Sequence, residues 1–459
     1  MSQRVICLFS IVFTLAAPSL AFCGGTKTKP NILIILADDL GFGDLSCQGA
    51  KDLQTPNIDK LFRAGMKFTK FYANSCVCSP TRAALLSGRY PELVGVPGVI
   101  RTHARHSWGH LTPDAVLLPS VLKRAGYHTA LVGKWHLGLT KETHPNQKGF
   151  DFFHGFLGDM MNNYYTHRRH NINYMRKNTK TIDPKGHATD LFSQWASEYI
   201  QERAKKQQPF FLYLAYNAPH DPIQPPQDWL AKVTKRQPNI STKRAKLVAL
   251  IEHMDHGIGQ VIDALQRSGE YDNTIIIFTS DNGGALRFGA NNGSLRDGKG
   301  SMYEGGLRVP MCAVWKGSIP RGSKNDQPAL TMDLFPTACE FANAKFRHKI
   351  EGMSLVPLLL KKKKQLLARD MFFIRKEGGK YKGKNIYAMY RNDFTLVENL
   401  PNAKRELYNL NVDSRQKQDV RMGQVKVFRE MDAALDAHIR RANMVPWQSP
   451  TRKGLQKGR

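Results

Sequence analysis

Two pairs of oxygen-bearing residues, Asp38-Asp39 and Asp281-Asn282, stand directly after apolar runs, Asn31 to Ala37 and Thr274 to Thr279. In open α/β sheets ligands gather beyond the carboxyl ends of strands. Three carboxylates and one amide oxygen make a hard, all-oxygen set that suits Ca²⁺ or Mg²⁺ better than Zn²⁺. Either pair alone would as readily cap a turn, and only the two together point to a metal. A third feature is the run Cys78-Ser79-Pro80-Thr81-Arg82. Ser79 reads as the N-cap of a helix with Pro80 in its first turn and Gly88 past its end. Cys78 then sits just before a helix N-terminus, where free N–H groups and the helix dipole favour anions. Arg82 adds a fixed charge and forked donors for an oxyanion. An isolated Cys in such a place is ordinarily structural. The Cys76-Val77-Cys78 pair has no His or second Cys pair at ligand spacing, which argues against a soft-metal site.

These groups need a scaffold, and the hydrophobic pattern provides one. The continuous apolar run Asn31 to Ala37 fits a strand buried on both faces of a parallel sheet. Thr55-Pro56 opens a helix that Gly65 ends, and Lys67 to Ala73 reads as a strand. Pro119 to Ala125 reads as a helix, Tyr127 to Val132 and Pro209 to Tyr216 as strands. Leu247, Ile251, Met254, Ile258, Ile262 and Leu265 recur at helical spacing. Alternating strands and helices predict an α/β fold with a mostly parallel central sheet between helices. After about Ala344 the composition shifts. Lys361 to Lys364 reads as a solvated turn, and short segments at Asn385 to Tyr390 and Asp393 to Val397, with a helix from about Gly423 to Arg441, predict a smaller antiparallel sheet plus helix.

The run Cys78 to Arg89 resembles the signature of the formylglycine-dependent sulfatases, in which Cys-x-Pro-Ser-Arg opens a helix; Thr81 stands here where the family has Ser. The resemblance spans roughly Pro30 to Ala344 as an ordered set of motifs, and it implies an alkaline-phosphatase-like fold. It further implies that Cys78 is oxidised to formylglycine, whose hydrate attacks sulfur, and that Asp38, Asp39, Cys78, Asp281 and Asn282 hold the metal, Ca²⁺ or Mg²⁺. A geminal diol attacks with one oxygen and keeps a second hydroxyl, so the sulfated intermediate collapses to aldehyde and sulfate; a plain Ser lacks that second hydroxyl. Gly133-Lys134-Trp135-His136, Ala218-Pro219-His220 and Gly298-Lys299-Gly300 match further family motifs. On that resemblance Lys134 balances charge near Cys78, His136 takes the proton of the second hydroxyl, His220 faces the leaving oxygen, and Lys299 neutralises sulfate or the leaving oxygen. Taken singly, a His after a strand is usually structural and a Lys beside Gly usually solvated; their joint presence carries the reading.

Charge points the same way. The 459 residues hold 67 Lys and Arg against 38 Asp and Glu, a formal charge of +29, which draws polyanions. No helix-turn-helix, zinc finger or aromatic RNA-binding signature is present, so no nucleic acid is expected, and a sulfated carbohydrate is the expected substrate. Two stretches rich in cations and aromatics fit such a ligand: Arg101, His103, Arg105, His106 and Trp108; and Tyr164, Tyr165, His167, Arg168, Arg169 and His170.

The N-terminus reads as an export signal, with Arg4, an apolar Val5 to Ala17 and small residues at Ser19 and Ala21. A secreted or periplasmic location follows, with lipoprotein anchoring at Cys23 the weaker alternative, because bulky Phe22 precedes the Cys. No stable membrane insertion is expected. Five sparse cysteines beyond the signal make no disulfide framework. The expected organisation is a signal peptide over 1–23, a catalytic domain over 24–345, a C-terminal subdomain over 346–443 and a basic tail over 444–459. A formylglycine-generating enzyme is the partner implied during maturation. The alternatives are a phosphoester hydrolase of the same superfamily fold, disfavoured by Cys78 and Asn282, and a non-catalytic binder of sulfated glycans, disfavoured by the full set of Lys, His and Arg.

Overall fold

A computed structural model describes residues 29–102, 110–378, 381 and 383–445. The expected signal segment, His103, Arg105, His106, Trp108 and most of the basic tail lie outside the described residues.

A ten-stranded sheet organises the molecule, in the order Ser323–Asn325, Met66–Phe68, Met311–Val314, Thr274–Ser280, Asn31–Ala37, Phe210–Ala215, His128–Lys134, Phe152–Phe156, Met175–Lys177, Lys180–Thr181. The five strands from Thr274–Ser280 to Phe152–Phe156 are parallel, and antiparallel pairs flank them. Asn31–Ala37 is buried throughout because both its faces are covered. Ile32, Ile34 and Leu36 pack with Leu85, Leu118 and Leu334. Leu33, Ile35 and Ala37 pack with Phe192, Leu250 and Ile258. Period-two alternation thus feeds two cores at once, each large apolar side chain contributing about 1.5–3 kcal/mol. The helix read from the 247–265 periodicity spans Thr242–Arg267.

The expected strand at 67–73 divides into Met66–Phe68, in the main sheet, and Phe71–Tyr72, which pairs with Ala329–Leu330. Thr69 and Lys70 between them turn away, donating to Asp326 and Asp393 at 2.6 and 2.5 Å. The C-terminal antiparallel sheet has four strands, Met371–Lys376, Asn385–Arg391, Phe394–Glu398 and Glu406–Asn409. Helix Val425–Asn443 seats Met431 and Leu435 against Met389, Leu396 and Leu407. The opposite face packs Phe373, Tyr390 and Tyr408 with Tyr72 and Tyr303. No helix among the described residues is long and apolar enough to cross a membrane.

Candidate active site

Strand register gathers the motifs on one edge. Ala37 pairs with Ser280, Leu36 with Ala215, and Ala215 with Gly133. The ladder continues one step further: the Asp281 N–H donates to the Ala37 carbonyl at 3.1 Å and the Asp38 N–H to the Ala218 carbonyl at 3.1 Å. Asp38, Asp281, Lys134 and the loop bearing His220 therefore leave the sheet together. Gly133 is demanded by crowding, since a Cβ there would lie 1.9 Å from the Ala215 carbonyl oxygen, at φ +105°. Asp39 and His136 hold φ of 69° and 61°. Such left-handed backbone costs a non-glycine residue roughly 1–3 kcal/mol, which the surrounding fold must offset.

The signature helix spans Cys78–Ser87 with Val77 at its N-cap, so Cys78 is its first residue rather than the one before it. The expected Ser79 cap does not form, because Ser79 Oγ instead accepts the Ile100 N–H at 3.0 Å. Thr81 Oγ1 accepts the Ser75 N–H at 3.1 Å and donates to the Ser75 carbonyl at 3.2 Å, closing the loop that leads to Cys78.

Arg82 was expected to offer its fork to an oxyanion. It is fully buried, and it donates from Nε and Nη2 to Asp281 Oδ2 at 3.0 and 2.7 Å. Its helix points it back under the sheet edge, so it holds a carboxylate rather than lining the pocket. Lys134 Nζ donates to Asp38 Oδ2 at 2.5 Å and Lys299 Nζ to Asp39 Oδ2 at 2.6 Å. Burial alone would raise the Asp38 carboxyl, but Lys134, His220, Arg82 and Lys299 hold it well below the usual carboxylate range. Asp281 is pushed up, by burial and then by the Asp38 charge. The Cys78 thiol also lies well above its usual range, raised by burial and by Asp38. A neutral buried thiol is a poor nucleophile.

The donor set fits a hard cation. Asp38 Oδ1 and Asn282 Oδ1 are buried oxygens with no hydrogen-bond partner, a costly condition for a polar atom that nothing else satisfies. Asp38, Asp39, Cys78 and His220 each bring one ligand atom within 4.8 Å of the others. The Cys78 Sγ, 3.9 Å from Asp39 Oδ1, stands where the oxygens of an oxidised residue 78 would be. Asn282 Nδ2 donates to Asp39 Oδ1 at 2.8 Å, tying the second acidic pair to the first.

The two histidines are set in opposite senses. His136 Nε2 donates to the Ile100 carbonyl at 2.7 Å, which leaves Nδ1 buried with a free lone pair. Burial, Lys134 and Arg82 keep the ring neutral, well below the usual histidine range. This is the state a proton acceptor needs. His220 Nδ1 donates to the Asp221 carbonyl at 2.7 Å, and Nε2 lies 3.6 Å from Asp39 Oδ2. Nε2 thus carries a proton only when the ring is cationic, and then it is a donor. Tyr164, expected to meet ligand, is buried instead and donates to the Asn217 and His220 carbonyls, each at 2.8 Å.

Cys78, His136, His220 and Lys299 line a pocket of about 440 Å³. Arg101 and Arg169 line it too, whereas Arg168 pairs with Asp183 outside it at 2.7 Å. Strand pleating sends those adjacent arginines to opposite sides. Sequence reasoning missed Asp159, Arg287, Arg375 and Lys384 in the lining. None stands in a motif, and the last two reach the pocket only because the C-terminal sheet packs beside the Lys299 loop.

With that geometry in hand, comparison with known proteins is specific. Residues 30–344 match the sulfatase family, and residues 297–443 match the C-terminal region of N-sulphoglucosamine sulphohydrolase. N-acetylgalactosamine-6-sulfatase of Mus musculus is 34% identical over 399 residues, covering 82% of this chain and 73% of that protein. Human arylsulfatase A is 33% identical over 363 residues, covering 72% and 68%. The crystal structure of Ps i-CgsB in complex with k-i-k-neocarrahexaose superposes with a TM-score of 0.84 at 32% identity, covering 93% of this chain and 96% of that one.

Proposed function

Because the chain belongs to the sulfatase family and is a sulfuric ester hydrolase, we propose that it removes sulfate from a sulfated carbohydrate, with oxidised Cys78 as its nucleophile. One observation carries the reading: a cation-lined pocket that holds Cys78, a neutral thiol beside a carboxylate cluster, together with His136 and its free Nδ1. Maturation on a formylglycine-generating enzyme converts the Cys78 –CH₂SH group to –CHO, water supplying the aldehyde oxygen, two electrons and two protons passing to dioxygen as oxidant, and sulfur leaving as hydrogen sulfide. Asp38, Asp39, Asp281, Asn282 and the oxidised residue 78 would hold a Ca²⁺ or Mg²⁺ ion. When bound, such an ion lowers the pKa of the hydrate hydroxyl and draws in a sulfate oxygen.

The remaining work falls to the chain's own side chains. Water adds to the aldehyde, one hydroxyl releases its proton to solvent as its oxygen attacks sulfur, the bond from sulfur to the sugar oxygen breaks, and that leaving oxygen takes the His220 Nε2 proton. His136 Nδ1 then accepts the proton of the remaining hydroxyl as the C=O bond reforms and sulfate departs. Lys299 neutralises charge on the transferring group, while Lys134 and Arg82 hold Asp38 and Asp281 in place. The catalytic unit over 24–345 and the C-terminal unit over 346–443 would share the pocket, and export through the leading apolar segment would take the enzyme to its substrate. The carbohydrate substrate is supported by the basic pocket and by the neocarrahexaose complex of Ps i-CgsB.

The test is peptide mass spectrometry of active protein with an aldehyde trap, run beside sulfate and phosphate release from matched sugar esters. Active protein with wholly unmodified Cys78, or faster phosphate release, would refute the reading.

A further inference from the structure

One wall of the pocket carries more positive charge than the carboxylates of the described residues beside it balance. Arg101 Nη2 donates to Glu377 Oε2 at 3.2 Å, and Arg375 Nε donates to Glu377 Oε1 at 2.9 Å, so one carboxylate serves two guanidiniums. The Lys384 ammonium, on the same wall, has no hydrogen-bond or ion-pair partner among the described residues. Three cations therefore face a single carboxylate. The other lining cations are matched one for one: Arg169 with Asp159 at 3.1 Å, Lys299 with Asp39 at 2.6 Å, Arg287 with Asp221 at 3.9 Å. The excess is local to this wall.

The wall is also tied to the loop that carries Lys299. Arg375 Nη1 donates to the Gly300 carbonyl at 3.0 Å, one residue after Lys299. Arg101 lies 4.0 Å over the Tyr381 ring, and its Nε is buried without a hydrogen-bond partner among the described residues. A guanidinium with an unused donor and an unpaired ammonium beside it form a ready receptor for an oxyanion. Burial and then the Arg375 charge push the Lys384 ammonium below its usual range, and the nearby Glu377 charge offsets this only in part.

We propose that Arg101 and Lys384, braced by Arg375, form a second anion subsite that binds a carboxylate or a further sulfate on the saccharide whose sulfate ester is cut at residue 78. This rests on the carbohydrate reading above. The preferred substrate is then a sugar, or a pair of linked sugars, with two negative groups, one reacting and one only recognised.

Matched disaccharides test it: one with a single sulfate ester, one with an added sulfate, one with an added carboxylate. Wild-type enzyme should favour at least one doubly charged partner by about ten- to a hundredfold in kcat/KM, mainly through KM. The two doubly charged arms tell sulfate from carboxylate. In Lys384→Ala and Arg101→Gln the preference ratio should fall toward one, and in Lys384→Glu it should invert. A wild-type ratio near one for both partners, or a preference that survives both neutral variants, overturns the subsite. Cleavage of the singly sulfated sugar keeps the carbohydrate reading standing in that case. If no saccharide is cleaved while an aryl sulfate is, the carbohydrate reading fails and the subsite with it.

Discussion

Arg82 grips Asp281 from beneath the sheet edge, its Nε and Nη2 both donating to Oδ2 at 3.0 and 2.7 Å, with neither side chain exposed. The pair positions a carboxylate of the reaction centre without touching the pocket. Removing the arginine leaves a buried charge uncompensated. Arg82→Ala should therefore cost about 3–5 kcal/mol in denaturant unfolding. Arg82→Lys keeps charge but loses the fork, and should recover part of the stability while turnover stays depressed. An Arg82→Ala protein that unfolds like wild type would contradict this account.

The donor set predicts the metal. Purified protein should contain one Ca²⁺ or Mg²⁺ and little Zn²⁺, because within the Asp38-Asp39 and Asp281-Asn282 cluster the buried atoms without a hydrogen-bond partner, Asp38 Oδ1 and Asn282 Oδ1, are hard oxygens. Strong chelator should lower both activity and melting temperature, and Asp281→Ala should lose metal and nearly all turnover. Metal analysis showing stoichiometric zinc, or activity indifferent to chelator, refutes it.

Gly133 and Gly126 separate crowding from backbone strain. Both have positive φ, 105° and 93°, but a Cβ at 133 meets the Ala215 carbonyl oxygen at 1.9 Å while one at 126 meets nothing within 4 Å. Gly126→Ala should cost about 1 kcal/mol from its left-handed backbone alone. Gly133→Ala should cost markedly more and, by shifting Lys134, lower turnover. Equal destabilisation by the two, read from urea midpoints, would show that the close approach is relieved cheaply.

The opposite settings of His136 and His220 predict different kinetic lesions. Loss of His136 Nδ1 in His136→Ala should let sulfate transfer but stall release, so a sulfated peptide containing residue 78 accumulates and can be trapped by acid quench. His220→Ala should slow the first step, most for sugars with poorly stabilised leaving oxygens and least for aryl sulfates, whose leaving oxygen needs no proton. If His220→Ala accumulates sulfated enzyme and His136→Ala does not, the assignments are reversed.

His154 predicts acid sensitivity away from the pocket. It stacks on Trp195 with centroids 3.5 Å apart. Burial, and then the Lys177 charge, lower it from 6.5 to about 3. The unfolded chain thus takes up this proton before the folded one does. The contribution of His154 is complete above pH 6.5 and is lost as pH falls toward about 3. His154→Phe keeps an aromatic stack and removes the proton, so its melting temperature should fall less between pH 7 and 4 than that of wild type. Parallel declines would exclude His154 as a source of the sensitivity.

The sequence by itself determined the scaffold and pointed to side chains that gather around one pocket. A seven-residue apolar run rich in Ile, such as Asn31–Ala37, is too short for most helices and fits a strand covered on both faces, which is what it forms. The resemblance of its motifs to those of the sulfatases likewise singled out Cys78, Lys134, His136, His220 and Lys299, which the strand register brings to one edge and one pocket or just behind it. Tertiary structure decided what each side chain faces. Arg82 turned inward because Asp281, 199 residues away in sequence, is brought within reach of its fork. Ser79 gave up its cap for the Ile100 N–H, a partner 21 residues away. The pocket wall was invisible beforehand, since Arg101, Arg375 and Lys384 are separated by up to hundreds of residues and meet only where the C-terminal sheet docks. Local sequence encodes periodicity and backbone preference, whereas partnership depends on packing between distant segments, and no single segment carries that information.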